Sequence, residues 1–244
     1  MRLPGPFGRE AAERRGLARL AAAASAGPAR EYAVTGLPAE STPAGELRLL
    51  AVDIETTGLD ARVDQILSLG FVPVDGYGVQ LAGARHIHVR PREGHAGVGA
   101  SAAIHGLTDD QVAGGIAPAE ALDLLFEALT GRVLLAHYAA IEVGFLGALC
   151  RAAYGCDLPV RTVDTLELGR RQLPAHREPA PGALRLWSLR TRFGLPVYAA
   201  HNALRDALAC AELYLAQVAE LESASATAVT LGALARCSGA GLRL

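Results

Sequence analysis

Apolar and polar positions change period several times along the chain, and those changes mark out its elements. Leu50-Ala51-Val52-Asp53-Ile54-Glu55-Thr56-Thr57-Gly58 combines apolar residues and Thr with a closing Gly, which predicts a strand running into a turn. Gln65-Ile66-Leu67-Ser68-Leu69-Gly70-Phe71-Val72 and the stretch from Ala84 to Val89 read as further strands, with a turn signal at Asp75-Gly76 between them. Three strands in near succession predict an antiparallel meander. Residues 92–104 are rich in Gly and Ala and read as a loop, after which Thr108 is placed to cap a short helix. From there the period lengthens. Pro118 stands near the start of a helix carrying Leu122, Leu125, Phe126 and Leu129 on one side, and Gly131 is placed to end it. Residues 132–136 predict a short buried strand, residues 139–153 a helix with the stripe Ile141, Phe145, Ala148, Leu149 and Ala152, and residues 160–166 another strand. Residues 170–183 are polar and Pro-rich and read as a loop. A short helix over 188–193 stops at Gly194, and the last helix, over 202–222, aligns Leu204, Leu208, Ala211, Leu215 and Val218. Alternation of strand and helix in this half has βαβ character, so the expected fold is α/β: a mixed sheet flanked by helices, with a three-stranded antiparallel start and then parallel strands.

The flanks read differently. Residues 1–45 predict an N-terminal arm, helical over 11–24 and then interrupted by Gly36, Pro38, Pro43 and Gly45; residues 223–244 predict a tail with too few large apolar residues for a domain of its own. The central unit is expected over 46–222, and a fragment of residues 46–224 is expected to suffice for chemistry. At 244 residues and 51% hydrophobic content the chain can bury one substantial core. A formal net charge of −2 argues against a surface coated for non-specific duplex binding, although all 23 basic residues are Arg, the better bidentate partner for phosphate. Cys150, Cys156, Cys210 and Cys237 lack metal-ligand spacing and are expected to be free thiols in a reducing compartment. No apolar run reaches the roughly 18 residues of a membrane span, and the opening segment lacks a secretory core, so the expected location is cytoplasmic, with no membrane partner.

Candidate chemistry gathers at the ends of these elements. The two-residue period of a strand points Asp53 and Glu55 to the same side. Two carboxylates converging at a buried strand end repel each other unless a cation or proton lies between them. Mg²⁺ and Mn²⁺ prefer such oxygen ligands. Downstream, Glu142 lies one turn into a helix leaving a buried strand, where the helix dipole favours its charge. Asp206 lies in the first turns of the last helix with His201 just before it, close enough for one to hold a metal and the other to take a proton from water. Asp164 is a candidate for support of the site, for a helix cap or for solvent exposure.

Taken together the ordered blocks resemble the DEDDh exonucleases of the ribonuclease-H-like superfamily, the group that includes the proofreading epsilon subunit of bacterial DNA polymerase III. The likeness covers residues 48–222 and rests on Asp53-Ile54-Glu55-Thr56-Thr57-Gly58, Ile104-His105-Gly106-Leu107-Thr108, the segment from His137 to Glu142, Asp164-Thr165-Leu166 and the segment from His201 to Asp206. It implies two divalent cations, Mg²⁺ or Mn²⁺, on Asp53, Glu55, Glu142 and Asp206, with His201 as general base. It further implies that Thr56, Thr57 and His105 hold the terminal nucleotide, with Asp164 and His137 in support. The expected activity is 3′→5′ removal of nucleoside 5′-monophosphates from single-stranded or frayed DNA ends, in replication or repair, with a DNA polymerase or repair protein as partner. RNA is the alternative substrate, as in RNase T-like or oligoribonuclease-like enzymes, and a non-catalytic nucleic-acid-binding or scaffold role is a third reading. One block departs from the family pattern His-Asn-Ala-x-Phe-Asp: here it reads His137-Tyr138-Ala139-Ala140-Ile141-Glu142, with Glu for Asp and Tyr for Asn.

Overall fold

The computed structural model describes residues 6–92, 108–173, 179–199 and 201–235. Its strands are β1 (Arg48–Thr56), β2 (Ile66–Asp75), β3 (Gly78–Val79), β4 (Arg85–His88), β5 (Val133–Ala136) and β6 (Thr162–Asp164). Its helices, numbered in chain order, are α1 (Pro6–Ala23), α2 (Pro28–Thr35), α3 (Asp109–Ala113), α4 (Pro118–Leu129), α5 (Ala140–Tyr154), α6 (Thr165–Arg171), α7 (Leu186–Arg192), α8 (Ala203–Ser223) and α9 (Leu231–Ala235). β1 is central: it runs antiparallel to β2 and parallel to β5, which in turn pairs in parallel with β6. β3 and β4 both lie antiparallel on the outer edge of β2. The sheet is therefore mixed, with the antiparallel start and parallel continuation that the sequence pattern predicts.

Alternation along β1 sorts its residues into two cores, one on each face. Leu50, Val52 and Ile54 join the apolar residues of α4 and α5, including Leu125, Phe126, Phe145 and Leu146. Leu49 and Ala51 face α6, α7 and α8, where Leu168, Leu189, Cys210 and Tyr214 are buried. Asp53 and Glu55 continue the second series, so the sheet points them at the face that α8 covers.

Two elements depart from the sequence expectation. β6 is only three residues long and α6 begins at once, because the Asp164 side chain accepts the Leu166 N–H and caps the new helix. Seven residues make too short a helix for a 3.6-residue period to declare itself. Helix α2, eight residues between Gly27 and Gly36, escapes the sequence pattern for the same reason.

The flanks are built into the core. Leu20, Ala24, Ala29 and Tyr32 are buried with Phe126, and the Tyr32 and Phe126 rings lie 5.2 Å apart. The Tyr32 hydroxyl donates to Pro159 O at 2.7 Å, and buried Arg161 pairs with Glu13 and donates to Pro38 O at 2.7 Å. At the other end Leu231 N–H donates to Thr42 O and Ala44 N–H to Val229 O, which seats the buried Leu231 and Leu234 beside the second core. Residues 46–224 thus lack parts of both cores, and the arm is a packed layer. Among the described residues no helix is long and apolar enough to cross a membrane.

Candidate active site

Close approach between β2 and α8 sets the site. Gly70 pairs with Asp53 across β1 and β2, and a Cβ on Gly70 would lie 2.1 Å from Ala203 C and Leu204 N. Only a residue without a side chain lets the first turn of α8 lie against the strand. That contact brings Asp206 down onto β1. Asp53, Glu55 and Asp206 each place a carboxylate oxygen within 4.8 Å of the others. A register shift between Glu55 and Thr56 ends regular pairing just beyond them. In the sequence Gly70 reads as a strand residue, and a Gly interrupting an apolar strand is a signal of close backbone approach. Gly70→Ala is expected to lower turnover on a single-stranded oligonucleotide about 10²-fold, with the circular dichroism spectrum retained. Turnover like the parent's would mean that this contact does not set Asp206.

His201 and Asp206 are linked through the backbone. The His201 N–H donates to Asp206 Oδ2 at 3.0 Å, His201 has a left-handed φ of 68°, and Asn202 caps α8 by accepting the Arg205 N–H. His201 as a residue is exposed. Asp206 Oδ1 is buried with no hydrogen-bond partner, and so is Glu142 Oε2. Glu142, buried on the first turn of α5, stands outside the three-oxygen group, yet among neighbouring charges it has the largest effect on Asp53. Burial, followed by Glu142, Asp206 and Glu55, holds the Asp53 carboxyl well above the usual carboxylate range. Burial, followed by Asp206, pushes Glu55 up to about 8. Burial pushes Glu142 up to about 8 as well, against a hydrogen bond from its own backbone. Asp206 is also raised by burial, partly offset by the His201 N–H. Orphaned buried oxygens and protons held at high pKa fit a site built for hard cations, since an all-oxygen donor set is what Mg²⁺ and Mn²⁺ require.

The turn that launches α5 is held by Asp164. Its Oδ1 accepts from the N–H groups of Tyr138 and Leu166, both at 2.9 Å, and its Oδ2 from Ala139 N–H at 3.0 Å. With both oxygens engaged by the backbone, Asp164 acts on the site by fixing where α5 begins. His137 Nδ1 lies 2.8 Å from Thr165 Oγ1, which is itself 3.3 Å from Ala136 O. Burial lowers the His137 pKa to about 4, so its ring is neutral at physiological pH and braces the turn. Tyr138 has a φ of 68°, the left-handed region that Asn adopts more readily than Tyr. The family's Asn at this position therefore has a backbone reason. Tyr138→Asn is expected to stabilise the protein by about 1 kcal/mol, or about 2–4 °C in Tm, in thermal unfolding. A lower Tm would mean that the Tyr138 ring contributes more by packing than its backbone costs.

Two of the expected nucleotide contacts are engaged within the β1–β2 turn. Thr56 Oγ1 donates to Gly58 O at 2.5 Å, while Thr57 Oγ1 donates to Asp64 Oδ1 at 2.9 Å and accepts from Gln65 N–H at 3.1 Å. Both hydroxyls shape the rim of the site. His105 lies outside the described residues.

With this geometry the chain can be set against known proteins. An exonuclease family model (RNase T) matches residues 50–214, from β1 into α8, a span that holds every carboxylate above. The chain belongs to this exonuclease family. It is an enzyme, a phosphodiester hydrolase of the DEDDh 3′–5′ exonuclease kind, and the resemblance read from the motifs is borne out. The DNA polymerase III subunit epsilon of Treponema pallidum (strain Nichols) is 32% identical over 172 residues, covering 69% of this chain and 75% of that protein. Among solved structures, Exonuclease X in complex with 5′ overhanging duplex DNA matches with a TM-score of 0.57 at 21% identity, covering 79% of this chain and 99% of that one. Exonuclease I of E. coli in complex with a dT13 oligonucleotide matches with a TM-score of 0.60 at 16% identity, covering 73% of this chain and 43% of its own. These two likenesses establish the fold: a ribonuclease-H-like mixed sheet between helices. The chain spans less than half the length of Exonuclease I.

Proposed function

We propose that the protein is a divalent-cation-dependent 3′→5′ exonuclease that removes single nucleoside 5′-monophosphates from single-stranded or frayed DNA. The observation that carries this reading is the convergence of Asp53, Glu55 and Asp206 oxygens within 4.8 Å beside an exposed His201. Asp53, Glu55 and Asp206 would hold the cations, and Glu142 would complete the set. Divalent cations bound there would neutralise charge on the scissile phosphate and lower the pKa of a nearby water.

The protein's own groups do the rest. His201, held at the rim through its backbone, takes a proton from the attacking water as the new P–O bond forms and the bond from phosphorus to the 3′ oxygen breaks. That 3′ oxygen remains on the shortened strand and takes a proton from solvent. Asp164 and His137 keep α5, and so Glu142, in place. Thr56, Thr57 and His105 are proposed to border the terminal nucleotide. A site at a strand end, flanked by helix termini, admits an unstacked nucleotide more readily than a paired one, since unpairing costs a few kcal/mol. Likeness to a polymerase III epsilon subunit supports a DNA polymerase or repair protein as partner.

The test is digestion of 5′-labelled oligomers with Mg²⁺ or Mn²⁺, comparing single-stranded DNA, duplex DNA and RNA. A ladder shortening from the 3′ end, fastest on single-stranded DNA and abolished by EDTA, is the expected result. Faster cutting of RNA would overturn the substrate assignment, and activity in EDTA would overturn the cation requirement.

A further inference from the structure

In the segment before His201, Leu195 and Tyr198 are half-buried against the second core, while Pro196 and Ala199 are exposed and Val197 is 85% exposed. A charged residue ties the exposed stretch down. Arg190, on α7, is 1% exposed. Its Nη1 donates to Ala209 O at 2.7 Å, and its Nη2 donates to Pro196 O at 2.7 Å and to Glu212 Oε2 at 2.8 Å. The guanidinium lies 4.8 Å from the Tyr198 ring centroid and 5.5 Å from that of Trp187, whose rings meet edge to face. Tyr198 closes the arrangement by donating its hydroxyl to Glu212 Oε1 at 2.8 Å. Farther on, Arg205 Nη1 donates to Ala199 O at 2.8 Å, and Asp206 receives the His201 N–H.

The path from α7 to His201 is thus pinned at Pro196, Tyr198, Ala199 and His201, each time to α7 or α8. A buried cation is costly unless it is well paired; here both terminal nitrogens of Arg190 are engaged, one of them by the exposed Pro196, while its Nε is buried without a hydrogen-bond partner. We infer that Arg190, Glu212 and Tyr198 are positioning residues that hold His201 at the start of α8, beside the Asp53, Glu55 and Asp206 carboxylates. This inference rests on the general-base role proposed for His201. Arg190 and Glu212 are placed to fix the loop, and the Tyr198 hydroxyl is the handle that can be removed with least disturbance to the fold.

The experiment is a double-mutant cycle on the full chain, read as single-turnover rate and KM on a single-stranded DNA oligomer together with Tm. Tyr198→Phe deletes one partly exposed hydroxyl. It is expected to lower the rate about tenfold, a part of the roughly 10²–10⁴-fold that a general base supplies, with KM and Tm close to the parent's. In a His201→Ala background the same change is expected to have no effect, because the group being positioned is gone. Arg190→Lys, which keeps the charge and loses the fork, is expected to lower the rate further in the parent and again not in the His201→Ala background. A parent-like rate for Tyr198→Phe, or an equal loss with and without His201, would overturn the inference. A parent-like rate for His201→Ala alone would overturn the base assignment itself, and it is read without any Tyr198 variant.

Discussion

Asp53→Asn is expected to leave almost no hydrolysis of single-stranded DNA while making the metal-free protein more stable at about pH 8. Its two effects have one cause. The Asp53 oxygen belongs to the group that converges with Glu55 and Asp206, so the amide removes a ligand at the centre of the set. The loss is expected to exceed the roughly 10–100-fold that follows removal of a group merely supporting a ligand. Without cations, burial and three neighbouring carboxylates hold the Asp53 carboxyl well above its ordinary range, so ionising it works against the fold. An amide of the same shape relieves that repulsion, raising Tm by about 2–4 °C for each kcal/mol relieved. At about pH 5 the parent holds its protons in the cluster, and the gap between the two proteins should narrow. Parent-like turnover of Asp53→Asn would remove β1 from the catalytic account.

Residues 46–224 alone are expected to be insoluble or to lack a cooperative unfolding transition, whereas residues 10–235 should fold. Cutting at 46 uncovers the face of α4 on which Tyr32 lies, including Phe126, and removes Leu20 from the first core. Cutting at 224 removes Leu231 and Leu234 from the second core and, with Thr42 and Ala44 also gone, both sides of the contact between the flanks. Arg161, parted from Glu13, would regain water and lose little. The apolar faces have no such recourse, since each large side chain moved from the interior to water costs about 1.5–3 kcal/mol, against a total stability of about 5–15 kcal/mol. Soluble yield and a thermal melt measure this; a melt of the short fragment matching that of the full chain would return the arm to the status of an appendage.

The candidate carboxylates and the mixed character of the sheet were legible in the sequence because each candidate block sits at the junction of two elements with strong periods. Asp53 and Glu55 follow an apolar strand, Glu142 opens a striped helix, and Asp206 opens the longest one. What stayed hidden depends on contacts between distant parts. Nothing local tells that Gly70 faces Ala203, that Asp164 spends both oxygens on the turn before α5, or that Arg190 is buried rather than exposed. The arm shows the same limit: its Ala-rich helix has little apolar periodicity, and Tyr32 becomes core because Phe126 of α4 offers it a surface. Tyr138 lies between these cases, since its departure from the family residue is visible in sequence while the left-handed φ that explains the family's choice is not.

Thermal unfolding of the full chain in EDTA and in Mg²⁺ or Mn²⁺, at about pH 5 and about pH 8, tests the central claim that this cluster is a cation site. Glu55 and Glu142 titrate near 8 in the folded protein, above their unfolded values. The folded state therefore holds more protons than the unfolded state between those values, and metal-free stability should fall as pH rises toward 8. Cations compete with those protons, so their effect should be small at the lower pH and large at the higher one. At 100 times Kd the gain is about 2.7 kcal/mol, or about 5–10 °C for a chain of this size, and Asp53→Asn should lose most of it. Equal Tm values with cations and with EDTA at about pH 8, or a shift that Asp53→Asn retains in full, would contradict the account.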